Sequence, residues 1–310
     1  MSVLTMESSA APQRRRRGRG DRATPMRALP ILPAVLLLLV FLAGPIVWAL
    51  LGSLSDRALT GPGAANPQFV GLDNYARLFA DPVLPLSIGI TVAFVVGSAI
   101  VGQNVVGMLL AVLFRVGSRG LSGVVGVLVV TAWVLPEIVA AFVSYAFLSA
   151  DGTLNALLAG VGIEGPNWLY SLPLLSIILA NTWRGTAFSM MIYRAALDDV
   201  PPEVTESAML DGAGAWQRLR FITLPMIKST IFTNLLLTTL QTLSVFTLIW
   251  VMTKGGPGKL STTLPVFAYT EAFSFGDIGY GNAIAVVMLL LGAVFSVGYV
   301  LSLRRSGDRE

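Results

Sequence analysis

Neither cysteine nor histidine occurs in the 310 residues. Disulfides, thiolate or imidazole metal sites, cysteine nucleophiles and serine–histidine–aspartate triads are all excluded by that absence. Charge is nearly as scarce: Asp, Glu, Lys and Arg make up 12% of the chain against 55% hydrophobic residues, with a mean hydropathy of +0.75. Soluble domains carry about a quarter charged residues, so this composition belongs in a bilayer. Nucleotide-binding signatures are also lacking. Gly160-Val-Gly162-Ile-Glu-Gly165 has the spacing of a dinucleotide turn, but Pro166-Asn167 follows it and no strand precedes it. Gly255-Gly-Pro-Gly258-Lys259 resembles a phosphate loop only until Leu260, which stands where a magnesium-binding Ser or Thr is required. No ATP site, metal site or catalytic constellation is legible in the chain.

What is present is apolar sequence in long runs. A hydrocarbon core of about 30 Å needs about twenty apolar residues per helix, and residues 32–51, 86–114, 121–148, 172–196, 231–252 and 283–303 meet that requirement. The expectation is an all-α membrane protein with six transmembrane helices in a domain spanning 28–305. Basic residues set its orientation. One set of loops and ends holds Arg14 to Arg17, Arg19, Arg22, Arg27, Arg115, Arg119, Arg194, Arg218, Arg220, Lys228, Arg304, Arg305 and Arg309, and the other set only Arg57, Arg77, Lys254 and Lys259. By the positive-inside bias, both termini and the segment 200–227 are cytoplasmic. Residues 1–27 are polar and Arg-rich, and read as a disordered basic tail against anionic headgroups, ahead of an uncleaved first helix. No aromatic residues interleave with the arginines, which argues against nucleic acid. Residues 306–310 form a short C-terminal tail.

The most informative stretch is 200–227. Pro201 and Pro202 lack amide donors and suit a helix start, where such donors are unpaired anyway, and Glu203 and Glu206 then lie at its positive end. Gly212 has the freedom to end that helix in a sharp turn. Trp216, Leu219 and Ile222 resume an apolar face before Pro225. A short amphipathic helix of this kind suits a groove on another protein.

Glu206-Ser207-Ala208, Asp211-Gly212-Ala213 and Ile222-Thr223-Leu224-Pro225 together resemble the EAA loop of binding-protein-dependent ABC importer permeases: EAA, three residues, Gly, nine residues, then Ile-x-Leu-Pro. Ser207 departs from the first Ala, a small-for-small change. The resemblance implies that this loop couples the chain to a partner ATPase dimer, which supplies ATP and Mg, and that Glu206, Ser207, Ala208, Asp211, Gly212, Ala213, Ile222, Leu224 and Pro225 carry the coupling. Phe69-Val-Gly71-Leu-Asp-Asn74-Tyr75, Thr253-Lys-Gly255-Gly256-Pro257 and Gly279-Tyr-Gly-Asn282 are similar to carbohydrate-type permeases of the maltose and glycerol-phosphate systems. That likeness implies sugar import by alternating access in a bacterial inner membrane, beside a second, related permease chain. It also implies an extracytoplasmic binding protein touching Gly71, Asn74, Tyr75, Gly255, Gly256 and Pro257. Glycerol phosphate and polyamines stay open as solutes.

Glu137 and Arg184 fall near mid-membrane by residue count, where an unpaired charge costs at least about 2.5–3.5 kcal/mol. They are expected to face a cavity or each other. Asn181, Trp183 and Gln241 offer contacts suited to hydroxyl-rich ligands along a substrate path, or the amides simply bridge helices. A secondary transporter is the weaker reading: only Glu137 qualifies as an intramembrane coupling carboxylate, and the halves show no duplication.

Overall fold

The computed structural model describes residues 32–307; the basic tail expected over 1–27 and the last residues of the 306–310 tail lie outside the described residues. The described chain is helical, and its only sheet-like pairing is an isolated bridge between Ser55 and Phe69. It divides into two units. The described part of the first, residues 32–48, has no buried residue and is a run of helix that loosens to a wider turn over Leu39–Ala43. Pro45, which cannot donate to the carbonyl four residues back, accounts for that loosening.

Four helices among the described residues are long and apolar enough to cross a membrane, and a fifth arises if one bent pair is a single span. The four are α1 (Leu32–Ser53), α3 (Val83–Arg115), the stretch Glu137–Gly160, which opens with α5 (Glu137–Leu148), and α12 (Ile278–Gly307), apolar over Ile278–Ser302. Between α1 and α3 lies α2 (Asp73–Ala80). The bent pair is α8 (Ala215–Met226) and α9 (Lys228–Leu243), which meet at 71°.

Two of the six expected spans are broken in the structure. The run 121–148 is two helices, α4 (Arg119–Val134) and α5, separated at Leu135-Pro136. Pro136 cannot donate a helical hydrogen bond, and its ring disfavours the helical conformation of the residue before it. The run 172–196 is one 26-residue helix, α6 (Pro173–Asp198), which carries Ser176, Asn181, Arg184 and Ser189 along its length. The run 231–252 is broken between α9 and α10 (Thr247–Met252). Short helices α7 (Pro202–Leu210) and α11 (Leu264–Tyr269) complete the set used below.

Helix α6 is the hub, touching α3, α4, α5, α9 and α10. Close approach of α3 and α6 requires small residues: a Cβ on Gly107 would lie 2.6 Å from the Cβ of Ser189 and 2.9 Å from the Met190 nitrogen. One apolar cluster gathers Phe94, Ile177, Leu248, Ile249 and Met252, and a second gathers Leu78, Leu84, Phe267, Tyr280 and Ile284. A third, at the end bearing α7, joins Ala111, Tyr193, Leu197, Val200 and Ile227. A ladder of buried amides and hydroxyls ties α3, α6 and α9 together. Asn234 Nδ2 donates to Asn104 Oδ1 (2.8 Å) and Ser189 Oγ (3.0 Å), Asn104 Nδ2 donates to Thr238 Oγ1 (3.1 Å), and the Tyr193 hydroxyl donates to Asn104 Oδ1.

Candidate functional site

The loop 200–227 folds as its residues dictate. Pro201 is the residue before α7 and Pro202 its first helical residue, with Glu203 in the first turn. Gly212, at φ +81°, ends the helix. Its N–H donates to the Met209 carbonyl (3.0 Å), and the Ala213 N–H donates to the Ala208 carbonyl (2.9 Å). These two bonds define a Schellman turn, and they explain the spacing of the motif. Ala208 and Ala213 occupy the two positions whose apolar groups such a turn brings together, and Gly212 occupies the one that needs the left-handed conformation. Ala208 is buried, whereas Glu206, Ser207 and Asp211 are exposed.

The turn runs straight into the next helix. The Gly214 N–H donates to Gln217 Oε1 (2.7 Å), and Arg218 donates to the Ala213 carbonyl (2.8 Å), so the arginine locks the turn from the far side. Over Leu219–Thr223 the helix widens, as expected four residues ahead of a proline without a donor, here Pro225. The 71° bend follows at Ile227, which is buried. Leu210, Trp216 and Phe221 are left exposed at 90%, 69% and 70%; of the apolar residues Trp216, Leu219 and Ile222 expected together, Trp216 is exposed and the other two are half-buried. Behind the loop, the ends of α3 and α6 wall a cavity of about 570 Å³ lined by Arg115, Leu197, Thr205, Met209 and Trp216, among others. The structure thus brings Arg115 and the 200–227 loop to one end of the bundle.

The opposite end gathers the other motifs, and here several expected contact residues turn inward. Asn74 is buried and donates to the carbonyls of Ser53 and Ser55 (both 2.9 Å), while the Tyr75 hydroxyl bonds Ser53 Oγ (2.6 Å). These two latch α2 to the end of α1. Gly255 is also buried, with φ +82°, held by Thr262 Oγ1 donating to its carbonyl (2.8 Å), and Ser261 Oγ donates to the Gly256 carbonyl (2.9 Å). The buried Ser261-Thr262-Thr263 run was not read as part of the motif; its nearness to Gly255-Gly256-Pro257 was the available signal. Gly71, Gly256 and Pro257 keep partial exposure. A groove of about 620 Å³ runs past Gly256 and Pro257 to Tyr145, Asp151, Asn167 and Tyr170. Phe69, Leu72, Phe79, Phe273 and Phe275 stand exposed in these segments, and of them Phe275 lies outside the motifs legible in the sequence. Gly281 packs against α11's continuation, where a Cβ would meet that of Ala272 at 2.6 Å.

Electrostatics at this end centre on Arg77, whose guanidinium bonds Asp277 (2.5 Å) and lies 4.0 Å over the Tyr280 ring. Partial burial of Arg77 works to lower its pKa, and the Asp277 hydrogen bond and charge outweigh it in raising it. Burial pushes the Glu271 carboxyl above the usual range, and Asp81 and Asp277 add to the rise.

The expected path residues separate. Asn181 is buried, with Nδ2 donating to Ser98 Oγ (2.9 Å) and Thr242 Oγ1 (3.3 Å), so it bridges helices. Glu137 and Arg184 form no ion pair with each other among the described residues. Glu137 Oε1 instead accepts from the Leu248 N–H (3.1 Å), one of the unpaired donors that open α10 after the break in the fifth run. Thus Glu137, the first helical residue after the Pro136 break, supplies one acceptor to the first turn of α10 just past the break at 244–246. Arg184 Nε is buried without a hydrogen-bond partner. Trp183 lines an apolar cavity of about 490 Å³ with Val143, Phe147 and Leu179, and Gln241 is exposed.

The chain is similar to known proteins. Residues 103–307 match the family model described as binding-protein-dependent transport system inner membrane component. The chain is 30% identical over 280 residues to the trehalose/maltose transport system permease protein MalF of Thermococcus litoralis, covering 88% of this chain and 91% of that one. It is 30% identical over 277 residues to the lactose transport system permease protein LacF of Rhizobium radiobacter, covering 86% and 90%. Its fold matches a chain of the crystal structure of a bacterial alginate ABC transporter in complex with an alginate pentasaccharide-bound periplasmic protein, at a TM-score of 0.77 and 23% identity over 91% of this chain and 94% of that one. With several membrane-length helices and this family match, the chain belongs to the binding-protein-dependent transport system inner membrane components, the multi-pass permease subunits of ABC importers.

Proposed function

We propose that this permease imports a sugar, delivered by an extracytoplasmic binding protein, through alternating access in a bacterial inner membrane. The observation that carries the reading is the Schellman-closed loop of 200–227, which fixes a short helix with Leu210, Trp216 and Phe221 turned outward. A partner ATPase dimer with ATP and Mg takes that face, and Glu206, Ser207, Ala208, Asp211, Gly212, Ala213, Ile222, Leu224 and Pro225 shape the contact. Closure of the ATPases draws the loop inward, and the 71° bend at Ile227 passes the motion to α9.

Six crossings carry the chain: α1, α3, the broken pair α4–α5, α6, α9 with α10, and α12, with both termini cytoplasmic. At 1.5 Å per residue, the 26 residues of α6 reach about 39 Å, enough to cross. In support, Arg115 and the 200–227 loop, which the distribution of basic residues assigns to one side, line one cavity. The second permease is a related but different chain. Trp183, Arg184 and Gln241 face the translocation path, and Arg184 Nε, buried and unpartnered, is the donor that a hydroxyl or carboxylate of the solute would satisfy. The binding protein rests on the loops bearing Gly71, Gly256 and Pro257, where the exposed Phe69, Leu72, Phe79, Phe273 and Phe275 supply apolar contact. Sugar chemistry is supported by the trehalose/maltose and lactose systems named for the relatives.

The test is ATPase stimulation of the reconstituted complex, with its binding protein, by a panel of mono-, di- and amino sugars beside glycerol phosphate and polyamines. Stimulation by one sugar is expected; stimulation by a non-sugar alone overturns the substrate class.

A further inference from the structure

The cavity behind α7 has a chemistry that the coupling reading does not use. Its walls are Val112, Leu197, Met209, Ala215 and Leu219, an apolar floor. Its charged lining residues are Arg115 and Arg218, and none of the lining is acidic. Of the two acids next in sequence to that lining, Asp198 leans to Arg194 at 4.0 Å and Glu206 is exposed. Arg218 spends one donor on the Ala213 carbonyl, and no acidic partner is found for Arg115 among the described residues. Thr205 and Thr223 add hydroxyls, and Trp216 stands 69% exposed at the rim. An apolar cavity of about 570 Å³ open at the end of two membrane helices is costly to leave to water.

We propose that this cavity binds an anionic phospholipid, with its phosphate on Arg115 and Arg218 and the upper part of an acyl chain on Val112, Leu197 and Leu219. Guanidinium groups suit phosphate because they offer paired donors and stay charged. Basic pockets between helices at a membrane surface favour acidic lipids. The location gives the lipid a role. It fills the space between α7 and the ends of α3 and α6, so it stiffens the joint across which any push on α7 must travel. That consequence rests on the proposal that the ATPase docks on this loop; the binding itself does not.

The full complex, with its ATPases and binding protein, is placed in nanodiscs of phosphatidylcholine with or without phosphatidylglycerol, and read by native mass spectrometry and by ATPase rate. Wild type is expected to retain one more phosphatidylglycerol than Arg115→Gln, and to be stimulated at least threefold by that lipid where the variant is not. Both should hydrolyse ATP equally in phosphatidylcholine alone. Val112→Trp, which fills the apolar part, is expected to lose the same lipid. Equal lipid retention by wild type and both variants overturns the site. Stimulation of wild type by inorganic phosphate alone, equal to that by phosphatidylglycerol, overturns the lipid in favour of a free anion. Failure of Val112→Trp to hold the ATPases, with no lipid on wild type, marks the cavity as a protein socket and also overturns it. Retention lost without a change in stimulation keeps the site and sinks only its link to coupling.

Discussion

Replacing Gly212 separates two reasons for a glycine in the coupling loop. At φ +81° the residue sits where an L side chain costs about 1–2 kcal/mol. A Cβ built there meets nothing within 4 Å, so that cost has no steric part inside this chain. Gly212→Ala is therefore expected to shift the balance between the closed turn and an opened chain by about 5- to 30-fold. Gly212→Asn, a residue that tolerates the left-handed region, should recover most of the loss. The assay is solute-stimulated ATPase activity and transport by the reconstituted complex, scored as solute moved per ATP, with thermal unfolding as a control on folding. The expected order is wild type, then Asn, then Ala. If Asn couples worse than Ala, bulk against a partner dominates, and the turn-based account of the spacing is wrong. If Ala couples as wild type does, the left-handed turn is not needed at all.

Other outcomes follow from single contacts. Glu137→Ala should lower the unfolding temperature, since it removes a charged acceptor from the Leu248 N–H, an interaction of about 1.5–3 kcal/mol, while Glu137→Gln should keep much of it; equal unfolding temperatures for both variants and wild type would refute the capping role. Asn234→Leu should cost about 0.6–1.7 kcal/mol by opening the ladder to Asn104 and Ser189, read as denaturant-induced unfolding in detergent. Glu271 titrates above its usual range, so the folded chain holds that proton more tightly than the unfolded chain does. Stability should then fall as pH rises from the ordinary glutamate value through the raised one. Glu271→Gln should be more stable than wild type above that window and equal to it below, by unfolding midpoints across a pH series. Gly281→Ala should destabilise the end opposite α7 by about 1–3 kcal/mol through its clash with Ala272, measured as earlier proteolysis of the 254–281 loop.

Much of this protein was legible in one dimension because a bilayer imposes simple demands. Absent cysteine and histidine removed whole chemistries, and apolar runs of membrane length announced helices. The spacing of Ala208, Gly212 and Ala213 encoded a turn whose hydrogen bonds are local, so sequence distance and spatial distance coincide. The same holds for Pro202 opening α7 and Pro225 loosening α8. The Pro136 break was equally local and available, but the apolar run around it masked it.

Other features depended on residues far apart in sequence. Asn74 and Asn181 look alike as loop or path amides until their partners, Ser53 and Ser55 in one case and Ser98 and Thr242 in the other, are in place. Glu137 reaches an amide 111 positions away, and nothing near either residue foretells that pairing. Arg115 and Arg218 share a cavity only because the end of α3 and the start of α8 line it together. Composition and local hydrogen bonding are properties of the chain, and the sequence determined them alone. Which polar groups are exhausted within the bundle, and which are left to face a ligand, lipid or partner, is a property of packing, and the tertiary structure decided it.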